Sequence, residues 1–420
     1  MTVLASQSGT VARRRPPALW RRAPLVAGAG LAATTGAALV IALLVRAESM
    51  SLAEVLTITT LLVGGAFGAQ LVGDVSGDAF VVSGEVSGVA HAAPLTLLLV
   101  AALTLGSVFR RATRHHDRGR SVAGDALATA LLLALAVLAM SLAFRSGSGP
   151  FLVATDNLEP RDAGNVGGEV GVAPVSGFLA TFAVTLAVLA LASVRRADWH
   201  GERMSRWAEP WRAPLRGALT LLLVLPVAGV LGALMLAGGQ ETSLPADPDP
   251  ATGVGLGLAA VASWGYAVLA LGAFARVGYS VDGTASGGFD EVTPVSSYER
   301  LGHWTATEPG LWGSVAVTCA VLLLCAAVVA RHSRGPARLA GDLSRWLVLL
   351  ALGLPALGLA ARLRGTGQAQ GHAWGEPGAS EFSGTLGVSV LESAGLLLVV
   401  AAAAALVVAA LARRRARPPG

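Results

Sequence analysis

The chain has 420 residues, of which 54% are hydrophobic and only 14% charged, with a formal net charge of +5. A soluble core cannot hide that much apolar surface, whereas a bilayer accepts it, so an ordinary soluble globular protein is excluded. Nor does the positive balance point to nucleic acid: all 31 basic residues are arginine, and no basic patch is interleaved with stacking aromatics.

Where the arginines fall sets the topology. Twenty-four of them lie in five clusters, at 13–22, 110–120, 195–216, 331–345 and 413–417, separated by long apolar runs and by acidic, Gly-rich stretches. That alternation is the positive-inside pattern of a chain threaded repeatedly through a membrane. A spanning helix needs about 20 apolar residues. Eight runs fit, in chain order 24–45, 94–109, 122–144, 174–194, 217–237, 310–330, 346–361 and 388–411. The first follows Arg13–Arg15, Arg21 and Arg22, is too long for a signal-peptide core, and reads as an uncleaved span. Trp20, Trp312 and Trp346 mark membrane interfaces.

Two further apolar runs, 52–72 and 253–274, pass a hydropathy test. If the first crossed fully, the clusters at 110–120 and 195–216 would be translocated, which is unfavourable. Both runs therefore read as re-entrant or interfacial segments entered from outside. Their many glycines suit close packing or breaks, and such backbone is tolerated at depth only under cover of protein or water. The expected fold is an all-α integral membrane protein of about eight transmembrane helices plus these two segments. Both termini are expected on the cytoplasmic side of the cytoplasmic membrane.

Four short matches suggest duplication. Arg22-Ala23-Pro24-Leu25 recurs at Arg212–Leu215, Gly65-Ala66-Phe67 at Gly272–Phe274, Ala123-Gly124-Asp125 at Ala340–Asp342, and Val175-Ser176 at Val388-Ser389. They keep chain order, with offsets of 190, 207, 217 and 213. The expectation is two tandem parallel repeats, 1–206 and 207–420, related by a pseudo-twofold along the membrane normal. The outer segments 74–91, 146–173, 238–252, 277–309 and 365–386 are rich in Gly, Ser, Pro, Asp and Glu. They read as loops that pack into a small cap or stay mobile, with one short strand at Phe80-Val81-Val82.

Candidate chemistry is sparse. Asp125 and Asp342 are paired by the repeat and sit near the inner face, where they cap helix N-termini or else bind a cation or relay protons. Glu392 lies inside the last span, and an intramembrane carboxylate is a functional candidate by default. Glu54 opens the first re-entrant run as a helix-start charge. If a cavity exists between the two re-entrant runs, Thr57, Thr59, Thr60 and Gln70 in one half and Ser263, Trp264 and Tyr266 in the other are the polar groups available to a small ligand. The seven histidines show no metal spacing, and there is no phosphate loop, nucleophile elbow or CxxC. Cys319 and Cys325 read as small apolar fillers. Trp199, Trp207 and Trp211 suggest an inner-interface helix between the halves. Neither a cofactor nor a metal is expected. The expected partners are the anionic inner leaflet, facing the arginines, and an envelope protein meeting the outer acidic loops.

Arginine without lysine, Ala/Leu/Val/Gly-rich spans and Gly/Ser/Asp/Glu outer segments together resemble the streptophobe family of hydrophobic multi-pass proteins of actinomycetes. The resemblance covers most of the chain and implies no catalytic residues. Three function classes follow. Smooth spans and acidic outer segments favour a non-catalytic envelope scaffold or partner subunit. Tandem halves with paired re-entrant runs suggest a channel or permease with a site between the repeats. A membrane enzyme is the third, with no visible nucleophile or metal set behind it.

Overall fold

The computed structural model describes residues 19–46, 50–79, 82–113, 119–145, 166–194, 208–237, 250–287, 295–299, 312–373 and 376–416. Ten helices lie among them: α1 Leu19–Val45, α2 Leu52–Ala66, α3 Leu95–Ala112, α4 Gly119–Ala143, α5 Pro174–Val194, α6 Arg212–Ala237, α7 Pro250–Gly272, α8 Gly313–His332, α9 Pro336–Ala361 and α10 Val390–Ala416. Nine are long and apolar enough to cross a membrane, and the short exception is α2. The helical multi-pass reading holds, and each of the eight expected spans falls on one of these helices, although α9 begins ten residues before the expected 346. The inner-interface helix expected around Trp199 and Trp207 lies outside the described residues. Only its end is seen, as a short 3-10 turn at Glu209–Trp211.

The bundle has two unlike ends. Strands run directly into the end of α2, the start of α3, the start of α5, the end of α7, the end of α9 and the start of α10. This sheet end carries Arg145, Arg276, Arg362 and Arg364. At the opposite end lie Arg110 and Arg111 closing α3, Arg331 closing α8, and Arg338 near the start of α9. Glu209 ties that end together through Arg334 and through Arg338 at 3.9 Å.

The segments expected as loops are mostly strands. Seven of them, β1 Leu71–Ala79, β2 Val82–His91, β3 Val166–Val172, β4 Val277–Gly287, β5 Val295–Glu299, β6 Leu363–Ala373 and β7 Glu376–Val388, form one antiparallel sheet in the order β3-β1-β2-β6-β7-β4-β5. To the expected helical membrane protein the structure therefore adds a sheet domain. Phe80 and Val81 of the expected short strand lie outside the described residues, and Val82 opens β2. The strands alternate Gly, Val or Ala with Asp, Ser, Glu or Gln, as in Gly73-Asp74-Val75-Ser76 and Gly367-Gln368-Ala369-Gln370. That period of two places one residue type on each face.

The two halves carry matching joints. Leu71 pairs with Val172, and Val277 pairs with Val388. The order β3-β1-β2 in one half has the same pattern as β7-β4-β5 in the other. Helix α2 ends with Ala69 N–H donating to Gly64 C=O at 3.0 Å, and α7 with Ala275 N–H donating to Ala270 C=O at 2.9 Å. These bonds align Gly68 with Phe274, so the Gly-Ala-Phe match is one residue out of register. Likewise Ala173 N–H reaches Gln70 C=O and Ser389 N–H reaches Arg276 C=O, both at 2.9 Å. The second joint sets Ser176 opposite Glu392 and moves the Val-Ser match by three residues. Every helix pair packed in the first half has its counterpart packed in the second. A two-fold along the membrane normal would reverse the strand order and exchange the sheet faces. The strands repeat instead as a sideways step along one sheet, with the same faces on the same side, which corrects the expected half turn for this part of the molecule.

Helix α7 is long enough to span, yet its neighbours place it elsewhere. Gly255 lies against Ile41, Leu44 and Val45 at the end of α1. The Thr96 hydroxyl, at the start of α3, donates to Ala259 C=O at 3.2 Å. The Thr318 hydroxyl, near the start of α8, donates to Leu269 C=O at 3.2 Å. All three neighbours belong to the sheet-end half of the bundle. Both α2 and α7 thus enter from the sheet end and stay there, as interfacial or re-entrant elements. Neither is broken, however: each is one continuous helix, contrary to the glycine-based expectation. The glycines serve packing. Gly229 of α6 and Gly265 of α7 cross backbone to backbone, each facing a carbonyl of the other helix, Val261 and Leu225 respectively.

Candidate functional site

The polar residues expected to line a cavity do not share one. Thr57, Thr59 and Thr60 are buried on α2, and each donates its hydroxyl to the carbonyl four residues back, at 3.0, 2.8 and 2.9 Å. Such bonds satisfy a hydroxyl inside an apolar bundle without a ligand. Gln70 is exposed beyond the end of α2, and its backbone N–H meets the Ser176 hydroxyl at 3.0 Å. In the other half Tyr266 is fully buried and donates to Leu354 C=O at 3.0 Å, beside the Ser393 hydroxyl at 3.2 Å. Trp264 points away, 51% exposed, and Ser263 is half-buried. Tyr266 belongs to the core of the second half, while the α2 residues Val63 and Phe67 belong to that of the first.

Three of the four membrane-edge acids, Glu54, Asp342 and Glu392, make hydrogen bonds or ion pairs within the fold. Glu54 completes a capping box with Ser51, whose N–H donates to its carboxylate at 2.6 Å. Asp125 and Asp342 are buried but are not N-caps, since α4 begins at Gly119 and α9 at Pro336. Asp342 accepts from the Ser333 hydroxyl at 2.7 Å and from Arg345 at 3.3 Å, which staples the α8–α9 turn. Glu392 accepts from Arg276 Nε at 2.7 Å, which ties the foot of β4 to the first turn of α10. Among the described residues no group of three His, Cys, Asp or Glu could hold a metal.

The concave polar feature of the molecule lies on the sheet. One cross-strand row runs Glu169, Asp74, Ser87, Gln368, Glu381 and Thr284 through six strands. The next row toward the bundle runs Val72, Val89, Thr366, Ser383 and Asp282. Together they line a groove of about 620 Å³. Asp74, Glu169, Asp282 and Glu381 are all exposed, and Glu381 accepts from the Gln368 amide at 3.2 Å. Arg362 closes the foot of this face, where it donates to the Thr385 hydroxyl at 2.7 Å. The opposite face is apolar and Gly-rich. A carboxylate row flanked by amides and hydroxyls can accept many hydrogen bonds and attracts cationic donors, but it contains no nucleophile.

Composition hides these groove residues, because Gly, Ser, Asp and Glu are also the residues of loops. The signal that finds them is the strict alternation along β1, β6 and β7. Comparison with known proteins adds nothing to this picture: no family model, no curated protein and no solved structure matches the chain.

Proposed function

We propose that this protein is a non-catalytic membrane scaffold whose outer sheet docks a cationic partner on its acidic face. The observation that carries the reading is the groove row from Glu169 to Thr284, which holds exposed carboxylates on a sheet that stands clear of the helices. Orientation follows from charge: the end rich in arginine faces the cytoplasm and the sheet faces outside. The resemblance to the streptophobe family and the placement in the cytoplasmic membrane belong to the same proposal. So does tandem duplication of the two halves, supported by the matched strand register and helix packing. The permease reading is less favoured, because Thr57, Thr60 and Tyr266 bond to backbone within separate cores.

Two measurements test the proposal. In a background with both cysteines replaced, Ser383→Cys should react with an impermeant thiol reagent in intact cells and Ser344→Cys, at the arginine end, should not. The reverse pattern would place the sheet inside. A photo-crosslinking residue at Thr366 should give discrete adducts in intact cells. They should be lost when Asp74, Asp282 and Glu381 are all changed to Asn. Adducts that survive the triple change, or none from the parent, would defeat the docking reading.

A further inference from the structure

The sheet stands on the bundle as a wall. Its strands enter and leave helices at their feet, and the far ends of the β1–β2 and β6–β7 pairs point away. Apart from α2 packing on β3 and β1, the helices touch it only where strands run into them. The bundle leaves the polar face bare and covers the other only at its foot, where Leu71, Val170 and Val172 pack on Leu61 of α2. That suits the polar face but not the other.

The second face carries Leu363, Leu386 and Tyr279 in its lowest row, with Val281 and Phe382 above. These five side chains are 48%, 55%, 43%, 39% and 40% exposed. Between them the face is paved by glycine, and Phe382 lies over Gly367, where any Cβ would collide with the ring. Among the described side chains of this face none is charged. An apolar sheet face of this kind is buried in stable architectures, usually against another sheet about 10 Å away.

We infer that this face packs against the same face of a second copy of the chain. Area supports that occupant. The five strands clear of α2, about 4.8 Å apart and about nine residues tall, leave a face of roughly 700 Å², close to the about 800 Å² per partner of a stable interface. Symmetry supports it too. Two copies inserted in one membrane share their orientation, and a two-fold along the membrane normal brings like faces together at equal height. The near absence of charge argues against a charged partner, and like acidic faces repel, so the polar faces stay outward. This inference does not depend on what the polar groove binds.

The test uses the full chain in its membrane with Cys319 and Cys325 changed to Ala. Ser380→Cys sits on the apolar face and Ser383→Cys on the polar one. A short bismaleimide should join Ser380→Cys copies into a species of twice the mass and leave Ser383→Cys monomeric. Adding Phe382→Asp to Ser380→Cys should lower the joined fraction at least fivefold, whereas adding Asp282→Asn should leave it unchanged. Because Ser380→Cys is conservative, its failure to join folded, membrane-inserted copies overturns the inference outright. Equal joining from both faces, or joining that survives Phe382→Asp in folded protein, overturns it as well.

Discussion

The two places where a helix of the sheet-end layer meets the sheet, the end of α2 and the end of α7, use the same backbone and different chemistry. At the first, Gly68 turns the chain at φ 82° and the Gln70 N–H rests on the Ser176 hydroxyl. At the second, Phe274 makes the same left-handed turn at φ 64°, and the Arg276–Glu392 ion pair stands where the hydroxyl contact was. The helices differ as well: α2 has 15 residues and stays within its half, while α7 has 23 and reaches back to α1 and α3. The second joint therefore bears more, since it anchors the helix that binds one half to the other. A backbone geometry can be kept while each side chain that supports it changes.

The largest way to break this comparison is to part α7 from α6. Gly229 and Gly265 meet at backbone distance, so Gly265→Leu has no room and the helices must separate. Overpacking costs about 1–3 kcal/mol, and more where backbone is displaced. The expected outcome is loss of the monodisperse fraction in mild detergent, measured by size exclusion. Gly257→Leu, where a side chain meets nothing within 4 Å, should behave as the parent. Equal behaviour of the two variants would mean that the α6–α7 crossing does not hold the second half together.

Next comes the hydrogen bond that holds α7 in its own core. Tyr266→Phe removes a donor from Leu354 C=O and a partner from Ser393. The expected cost is about 1 kcal/mol, read as a lowered thermal midpoint. Thr59→Val on α2 should cost less, because its hydroxyl only returns to its own helix. A larger loss from Thr59→Val would reverse the ranking of the two helices.

How much of this was legible depends on the kind of pattern. Runs of Leu, Ala and Val long enough to span, punctuated by Arg110, Arg216, Arg331 and Arg413, gave the membrane helices and their ends. Charge cost also separated 52–72 and 253–274 from the true spans, where length alone does not separate α7. The sheet was hidden by composition. Gly73-Asp74-Val75-Ser76 contains the residues of a loop in the order of a strand, and order was the part not used. Contacts such as Tyr266 with Leu354 join residues 88 apart and leave no local signature. The identities at Gly-Ala-Phe and Val-Ser align the two joints out of register, because the matching backbone geometry is set by hydrogen bonds at Gly64 and Ala270.

The ion pair gives a smaller, sharper contrast. Arg276 is 50% exposed and Glu392 17%, so water and salt screen them and the pair contributes at most about 1 kcal/mol. Glu392→Gln should lower stability at low salt and lose that effect at high salt. Ser176→Ala in the first half should show a similar loss with no salt dependence. If both variants respond to salt alike, the two joints are not chemically distinct.

The smallest effect belongs to the turn itself. A residue other than glycine at positive φ is disfavoured by about 1–2 kcal/mol, because its Cβ crowds the following carbonyl. Phe274 carries that cost, and Phe274→Gly removes it. The same change deletes the edge contact between Phe274 and Trp312, whose ring centroids are 6.0 Å apart at 68°. Aromatic pairs of this geometry contribute about 0.5–1.5 kcal/mol. The terms oppose each other, so the net change should stay within about 0.5 kcal/mol. Gly68→Ala in the first half has no such compensation and should destabilise by about 1 kcal/mol. Trp312→Ala isolates the remaining term: after it, Phe274→Gly should become clearly stabilising, because only the backbone strain is left to relieve. If Phe274→Gly stays neutral in the Trp312→Ala background, the ring contact is not what pays for the left-handed phenylalanine.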